Sequence, residues 1–223
     1  MHQSIALHTA RPTVLHGRQP NFALLSNVPE LAGAVMPFER NAEIYGEGEP
    51  SEYVYKVISG AVRTYRVLSD GRRQVSAFYL PGDVFGLDLG GKHPASAEAV
   101  AKSKVLFVRR NALLQVAEHN EDVRREIFEV VSNELRHAQD HTLTLIKTAH
   151  ERVAGFLLDM AKRAPGTEVE LPMSRQDIAD YLGLTIETVS RTFTLFEDSN
   201  KIKLIESRRI VLSNRSALRE LNA

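Results

Sequence analysis

Between Ser174 and Arg191 the chain gathers side chains suited to hydrogen bonding with a nucleic-acid duplex. Glu187, Ser190 and Arg191 are spaced by three and then one, which on a helix puts all three on one face. A carboxylate can accept from the cytosine amino group, and a guanidinium can donate two parallel bonds to guanine O6 and N7. Ser174, Thr185 and Thr188 stand at the beginnings of helical patterns, where hydroxyls and backbone N–H groups suit phosphate oxygens. The plainer alternative is a solvated helix face carrying an i,i+4 Glu187–Arg191 ion pair, which is itself compatible with base reading.

These side chains need two helices to hold them. Ser174-Arg175-Gln176-Asp177 has the shape of a capping box, and the helix it opens puts Ile178 and Leu182 on one face with Ala179 against a neighbour. Gly183 permits a sharp turn, Leu184 plugs the corner, and Thr185 caps a second helix whose Val189, Phe193 and Phe196 point inward. Two short helices joined by a Gly-containing turn predict a helix-turn-helix, with the second helix lying in a major groove. Any αα-corner of a globular core can look similar, so the outward Glu187, Ser190 and Arg191 sharpen the reading.

The rest of the chain divides by texture. From Val35 to about Arg109, short runs such as 53–58, 61–67, 74–79 and 104–108 are rich in Val, Ile, Tyr and Phe and are separated by turn residues. This predicts a β-barrel or jelly roll, with a hairpin at Asp70-Gly71. No Pro or Gly occurs between Asn111 and Ala154, and Phe128, Val131, Leu135, Ala138, Thr142, Leu145 and Ala149 recur at alternating intervals of three and four. Such a narrow a/d seam predicts a coiled-coil dimer helix, against the alternative of a long helix lying on the barrel. After Gly155 comes an amphipathic stretch to Arg163, a breaker at 164–167, a short strand at 168–171, the two reading helices, and two strands around an Arg-containing turn at 203–212.

Composition removes several classes. The 223 residues contain no Cys, which excludes disulfides, thiolate-held clusters, zinc ribbons and thiol nucleophiles, and fits a cytoplasmic setting. With 28 basic and 28 acidic residues the net charge is zero, so a nucleic-acid partner must be recognised by local placement. No apolar run approaches the roughly 20 residues needed to span a bilayer. No Ser-His-Asp spacing, phosphate loop or paired-carboxylate motif stands out, so no catalytic residue is assigned and the chain is not expected to be an enzyme. His137 and His141 stand at i,i+4, but two His without a third ligand are commoner as a solvated face, and no metal is expected.

The chain resembles the CRP/FNR family of bacterial transcription regulators. The likeness is carried by Pro81-Gly82-Asp83-Val84-Phe85-Gly86, by Glu151-Arg152-Val153-Ala154 with Leu157-Leu158, and by the whole of Ser174 to Arg191. It implies an α+β chain: an N-terminal cyclic-nucleotide-binding-like β-barrel, a long dimerisation helix and a C-terminal winged helix-turn-helix. The expected division is a leader at 1–20, the barrel at 21–110, helices at 111–149 and the DNA-binding unit at 150–223. The Glu187-x-x-Ser190-Arg191 combination is similar to the FixK-type branch, which reads TTGA-type half-sites in microaerobic and nitrogen-fixation regulation. By that resemblance Glu187, Ser190 and Arg191 contact bases, and Ser174, Gln176, Thr185 and Thr188 contact phosphates. Arg175, Lys201, Arg208 and Arg209 are also expected to contact phosphates through local positive charge, the last three on or near the wing.

Cyclic-nucleotide barrels of this family use a Gly-Glu and Arg-Ser pair. Here the Arg position holds Ala95 and the Glu position falls at Leu87 or Asp88, so no cyclic nucleotide and no other cofactor is expected. Lys92 or His93 would be the substitutes for that Arg, although Lys lacks the planar fork. The expected partners are therefore double-stranded DNA, a second copy of the chain and RNA polymerase, with no membrane. The alternative is a regulator gated by a cyclic nucleotide or by haem. The absence of Cys also separates the chain from the oxygen-sensing cluster branch, and only a change such as Ser174→Cys would create a thiol switch beside the DNA.

Overall fold

Turn residues cut the first half of the chain into eight short strands. In the computed structural model, which describes residues 31–88, 90–164 and 166–222, these are β1 (Ala34–Phe38), β2 (Glu43–Tyr45), β3 (Tyr53–Ser59), β4 (Val62–Val67), β5 (Arg73–Tyr79), β6 (Val84–Phe85), β7 (Ser96–Ala99) and β8 (Ser103–Arg109). The expected leader at 1–20 lies outside the described residues. The strands form two four-stranded sheets, ordered β1-β8-β3-β6 and β2-β7-β4-β5, with antiparallel pairing throughout. One core joins them: Tyr45 and Val62 from one sheet pack with Tyr55, Phe85 and Val105 from the other. The expectation of a barrel is corrected to a jelly roll of two separate sheets. The edge strands β2 and β6 have three and two residues, too few backbone groups to carry a ladder from one sheet to the other.

The Asp70-Gly71 hairpin is present between β4 and β5. Gly71 sits at φ +82°, and Asp70 Oδ1 accepts from the Arg72 N–H at 3.0 Å.

The helices follow as α1 (Arg110–His119), α2 (Glu121–Thr144) and α3 (Ala149–Arg163). Asn120 caps α2 by accepting from the N–H groups of Asp122 and Val123. The a/d seam is shorter than its pattern: Phe128, Val131, Leu135, Ala138 and Thr142 lie on α2, but Leu145 is its C-cap and Ala149 already begins α3. The break needs neither Gly nor Pro. Thr148 accepts from Glu151 N while Glu151 Oε2 accepts from Thr148 N at 2.6 Å, a reciprocal cap that opens a new helix. Gly155, expected to precede that helix, lies inside it.

Beyond it come β9 (Glu168–Glu170), α4 (Arg175–Leu182), α5 (Ile186–Asp198), β10 (Lys203–Glu206), β11 (Arg209–Val211) and α6 (Arg215–Leu221). The three strands form a small sheet, β10-β11-β9, whose β10–β11 hairpin is the wing. The hydrophobic core of this unit continues into the jelly roll, since Ala61, Val75, Phe78 and Val100 belong to the same cluster as Leu157, Ile178, Val189 and Phe193. The Phe78 and Tyr181 rings lie 5.3 Å apart across that seam.

Candidate nucleic-acid interface

Local sequence builds the reading head. Ser174 Oγ accepts from Asp177 N at 3.1 Å, and Asp177 Oδ2 accepts in return from Ser174 N at 2.9 Å and from its hydroxyl at 2.7 Å. Helix α4 ends at Gly183, whose φ of +61° lets the chain reverse, and Leu184 N donates to Ala179 O at 3.0 Å. Thr185 Oγ1 then accepts from Thr188 N at 3.2 Å and opens α5. The inward set is sealed: Ile178, Ala179, Leu182, Val189, Phe193 and Phe196 are all buried. Each large one contributes roughly 1.5–3 kcal/mol to holding the two helices at a fixed angle.

The outward set is free. Glu187, Ser190 and Arg191 are exposed together near the start of α5, as the spacing predicts. No ion pair within 4 Å joins Glu187 to Arg191 among the described residues, so the plain i,i+4 bridge does not consume them. A bond from its own backbone N–H, then the Thr185 hydroxyl, then the charge of Arg191 hold the Glu187 carboxyl below the usual carboxylate range. It is an anion at neutral pH and can only accept.

The phosphate set is arranged less uniformly. Ser174, Thr185 and Thr188 sit at helix beginnings as expected, and Gln176 bonds to Asp180 at 2.6 Å. Arg175 lies 3.3 Å above the centre of the Phe193 ring, and loss of solvent pushes its guanidinium down to about 10, which leaves it charged. Lys201 donates to Ser199 Oγ at 2.9 Å, and Arg208 donates to Pro172 O at 3.1 Å. Arg209 pairs with Glu168 at 2.7 Å and with Glu206 at 3.2 Å, and all three side chains stay exposed.

Two supporting residues escaped the sequence reading. Arg152 on α3 donates to Leu182 O at 2.8 Å and Gly183 O at 3.3 Å, satisfying the carbonyl end of α4, and to Lys147 O in the break after α2. Asp177 looked like a cap alone, yet it also accepts from Arg63 and Arg73 of the jelly roll.

Residues 151–221 match the Crp-like helix-turn-helix domain, and residues 35–120 match the cyclic nucleotide-binding domain. The nitrogen fixation regulation protein FixK of Azorhizobium caulinodans is 48% identical over 198 residues, covering 86% of this chain and 80% of that protein. Its namesake in Rhizobium meliloti is 43% identical, covering 84% and 86%. The structure of FixK2 from Bradyrhizobium japonicum superposes with a TM-score of 0.84 at 49% identity, over 86% of this chain and 98% of that one. The chain belongs to the CRP/FNR family, in its FixK-type branch. It is a DNA-binding transcription regulator.

In this CRP/FNR chain the jelly-roll interior is filled by rings. Tyr45 stacks on His93 at 3.6 Å, and Tyr55, Tyr79 and Phe85 pack at 5.0 to 5.1 Å. His93, a candidate substitute for the missing Arg, is buried and bonds through Nδ1 to Asp88 at 2.8 Å. The Asp88 carbonyl accepts from Ser51 Oγ and from Arg110. The residues at the nucleotide cassette positions thus bond to one another and to the fold. Of the two helical His, His141 stacks on Tyr181 at 4.2 Å, and His137 lines a cavity of about 210 Å³ between β5, α2 and α3. Among the described residues no helix is long and apolar enough to cross a membrane, and no group of three or more His, Cys, Asp or Glu is placed to hold a metal.

Proposed function

We propose that two copies of this chain pair through α2 and act as a transcription activator on palindromic TTGA-type sites, without a small-molecule effector. The observation that carries the reading is the exposed Glu187, Ser190 and Arg191 on a capped, rigidly packed α5. Pairing is supported by the apolar stripe on α2, where Phe128 is 72% and Leu135 60% exposed in the single chain. A second copy covering Phe128, Val131, Leu135, Ala138 and Thr142 would remove that surface from water. Two reading heads related by a two-fold axis enter successive major grooves about 34 Å apart, which requires a palindrome. Effector independence is supported by the aromatic filling of the jelly roll and by Ala95 at the phosphate-neutralising position. The likeness to the nitrogen fixation regulation proteins points to nitrogen-fixation genes as targets, and we propose low oxygen as the condition and RNA polymerase as the protein partner of the bound dimer.

The second reading, a ligand-gated regulator, is favoured by the cavity between β5, α2 and α3, since an occupant there would touch all three modules. One experiment separates the two: gel-shift titration of ligand-free protein on a TTGA palindrome, with and without cyclic AMP, at two salt concentrations. Tight binding without ligand, unchanged by cyclic AMP, supports the first reading. Binding only on addition of a ligand supports the second.

A further inference from the structure

The jelly roll and the reading head meet through a cluster of five charges. Arg63 on β4 donates to Asp177 Oδ1 and to Glu98 Oε1, each at 2.7 Å. Arg73 on β5 donates to the same Asp177 oxygen at 2.7 Å and to Asp180 Oδ2 at 2.8 Å. Arg63 and Asp177 are 5% and 4% exposed, while Arg73 retains 26%. Gln74 adds a bond to the Tyr181 carbonyl, also across the domain seam. The remaining oxygen of Asp177 closes the Ser174 cap, so one carboxylate ties two strands of the jelly roll to the N-terminus of α4.

We infer that Arg63 and Arg73 are positioning residues for DNA recognition: they lock each reading head to its own jelly roll and so fix the half-site spacing that a dimer accepts. This rests on the dimeric DNA-binding reading above. Apolar contacts tolerate sliding, but three charge-assisted bonds of 2.7 to 2.8 Å across the seam, two of them on one carboxylate, do not. Each base pair added between half-sites moves the second head by roughly 3.4 Å and about a tenth of a turn. A locked pair of heads cannot follow that shift without breaking the cluster. Buried ion pairs of this kind favour one arrangement over others more than they add stability.

The test uses the full chain and a series of duplexes: the preferred palindrome, versions with one base pair removed or with one or two added at the centre, and a single half-site. Arg73→Ala weakens the lock at its partly exposed edge and leaves Arg63 in place, and Arg73→Lys keeps the charge. We expect the wild type to lose at least about tenfold in affinity per misplaced base pair. Arg73→Ala should bind the half-site like the wild type, lose about tenfold on the preferred palindrome, and discriminate spacing by under about threefold. Arg73→Lys should recover part of the discrimination. An unchanged spacing profile in Arg73→Ala would overturn the inference, and so would equal losses on half-site and palindrome, which indicate general damage to the head. A wild type that binds no palindrome better than the half-site would overturn the dimeric reading and the lock with it.

Discussion

Replacing Asp177 with Asn leaves the shape of the side chain and changes only what its two outer atoms can do. The carboxylate is an acceptor at both oxygens: Oδ1 receives Arg63 and Arg73, and Oδ2 receives the Ser174 N–H and hydroxyl. An amide has one acceptor and one donor. Whichever way it turns, an N–H group faces either two guanidiniums or the Ser174 backbone donor, and Arg63, 5% exposed, loses one of its two charge partners and keeps only Glu98. Breaking a buried pair costs about 3–5 kcal/mol, and losing an N-cap costs about 1 kcal/mol. The two overlap at one residue, so we expect a total of roughly 3–5 kcal/mol rather than their sum. At about 2–4 °C per kcal/mol for a chain of this size, the melting midpoint should fall by roughly 6–20 °C. Urea unfolding read by circular dichroism, alongside calorimetry, measures both quantities, and Asp177→Ala should cost about as much. A loss below about 1 kcal/mol for the Asn variant would refute the reasoning, because it would mean the shared carboxylate carries little energy.

Three further outcomes follow from the same structure. Gly60→Ala should destabilise by more than about 2 kcal/mol in the same melts, because a Cβ there would lie 2.3 Å from Ser103 Oγ and 2.4 Å from the Lys102 carbonyl at a φ of +82°. Leu135→Glu places a charge in the middle of the α2 stripe, and sedimentation should find monomers at concentrations where the wild type is dimeric. Glu134 lines the cavity and accepts from Tyr79; loss of solvent pushes its carboxyl up to about 7, against roughly 4.3 unfolded. The folded chain therefore favours the neutral acid, so stability from this group is full below about pH 4.3 and is lost as pH rises through about 7. Glu134→Gln should flatten that decline between pH 5 and pH 8 in thermal melts.

What the sequence made legible was local. The Ser174 cap, the Gly183 turn and the inward Val189, Phe193 and Phe196 depend on neighbours within a few residues, and each stands as its pattern predicts. The seam pattern runs past the end of α2 because no Gly or Pro marks the stop, which is encoded by the Thr148–Glu151 box. Arg175 and Arg209 looked equivalent as basic residues. Only tertiary packing sets one on the Phe193 ring and the other between Glu168 and Glu206. The Arg63–Asp177 pair spans 114 positions in the chain, and no local spacing announces it.

The central claim is that Arg191 reads a base. Its most direct test is equilibrium competition at one salt concentration, comparing wild type and Arg191→Ala on a TTGA palindrome and on random duplex of equal length. A base-reading Arg191 gives a loss of about 1–3 kcal/mol on the palindrome, confined to the guanine position, with random-duplex affinity within about threefold of wild type. Equal losses on both duplexes would contradict it and reduce Arg191 to a phosphate contact.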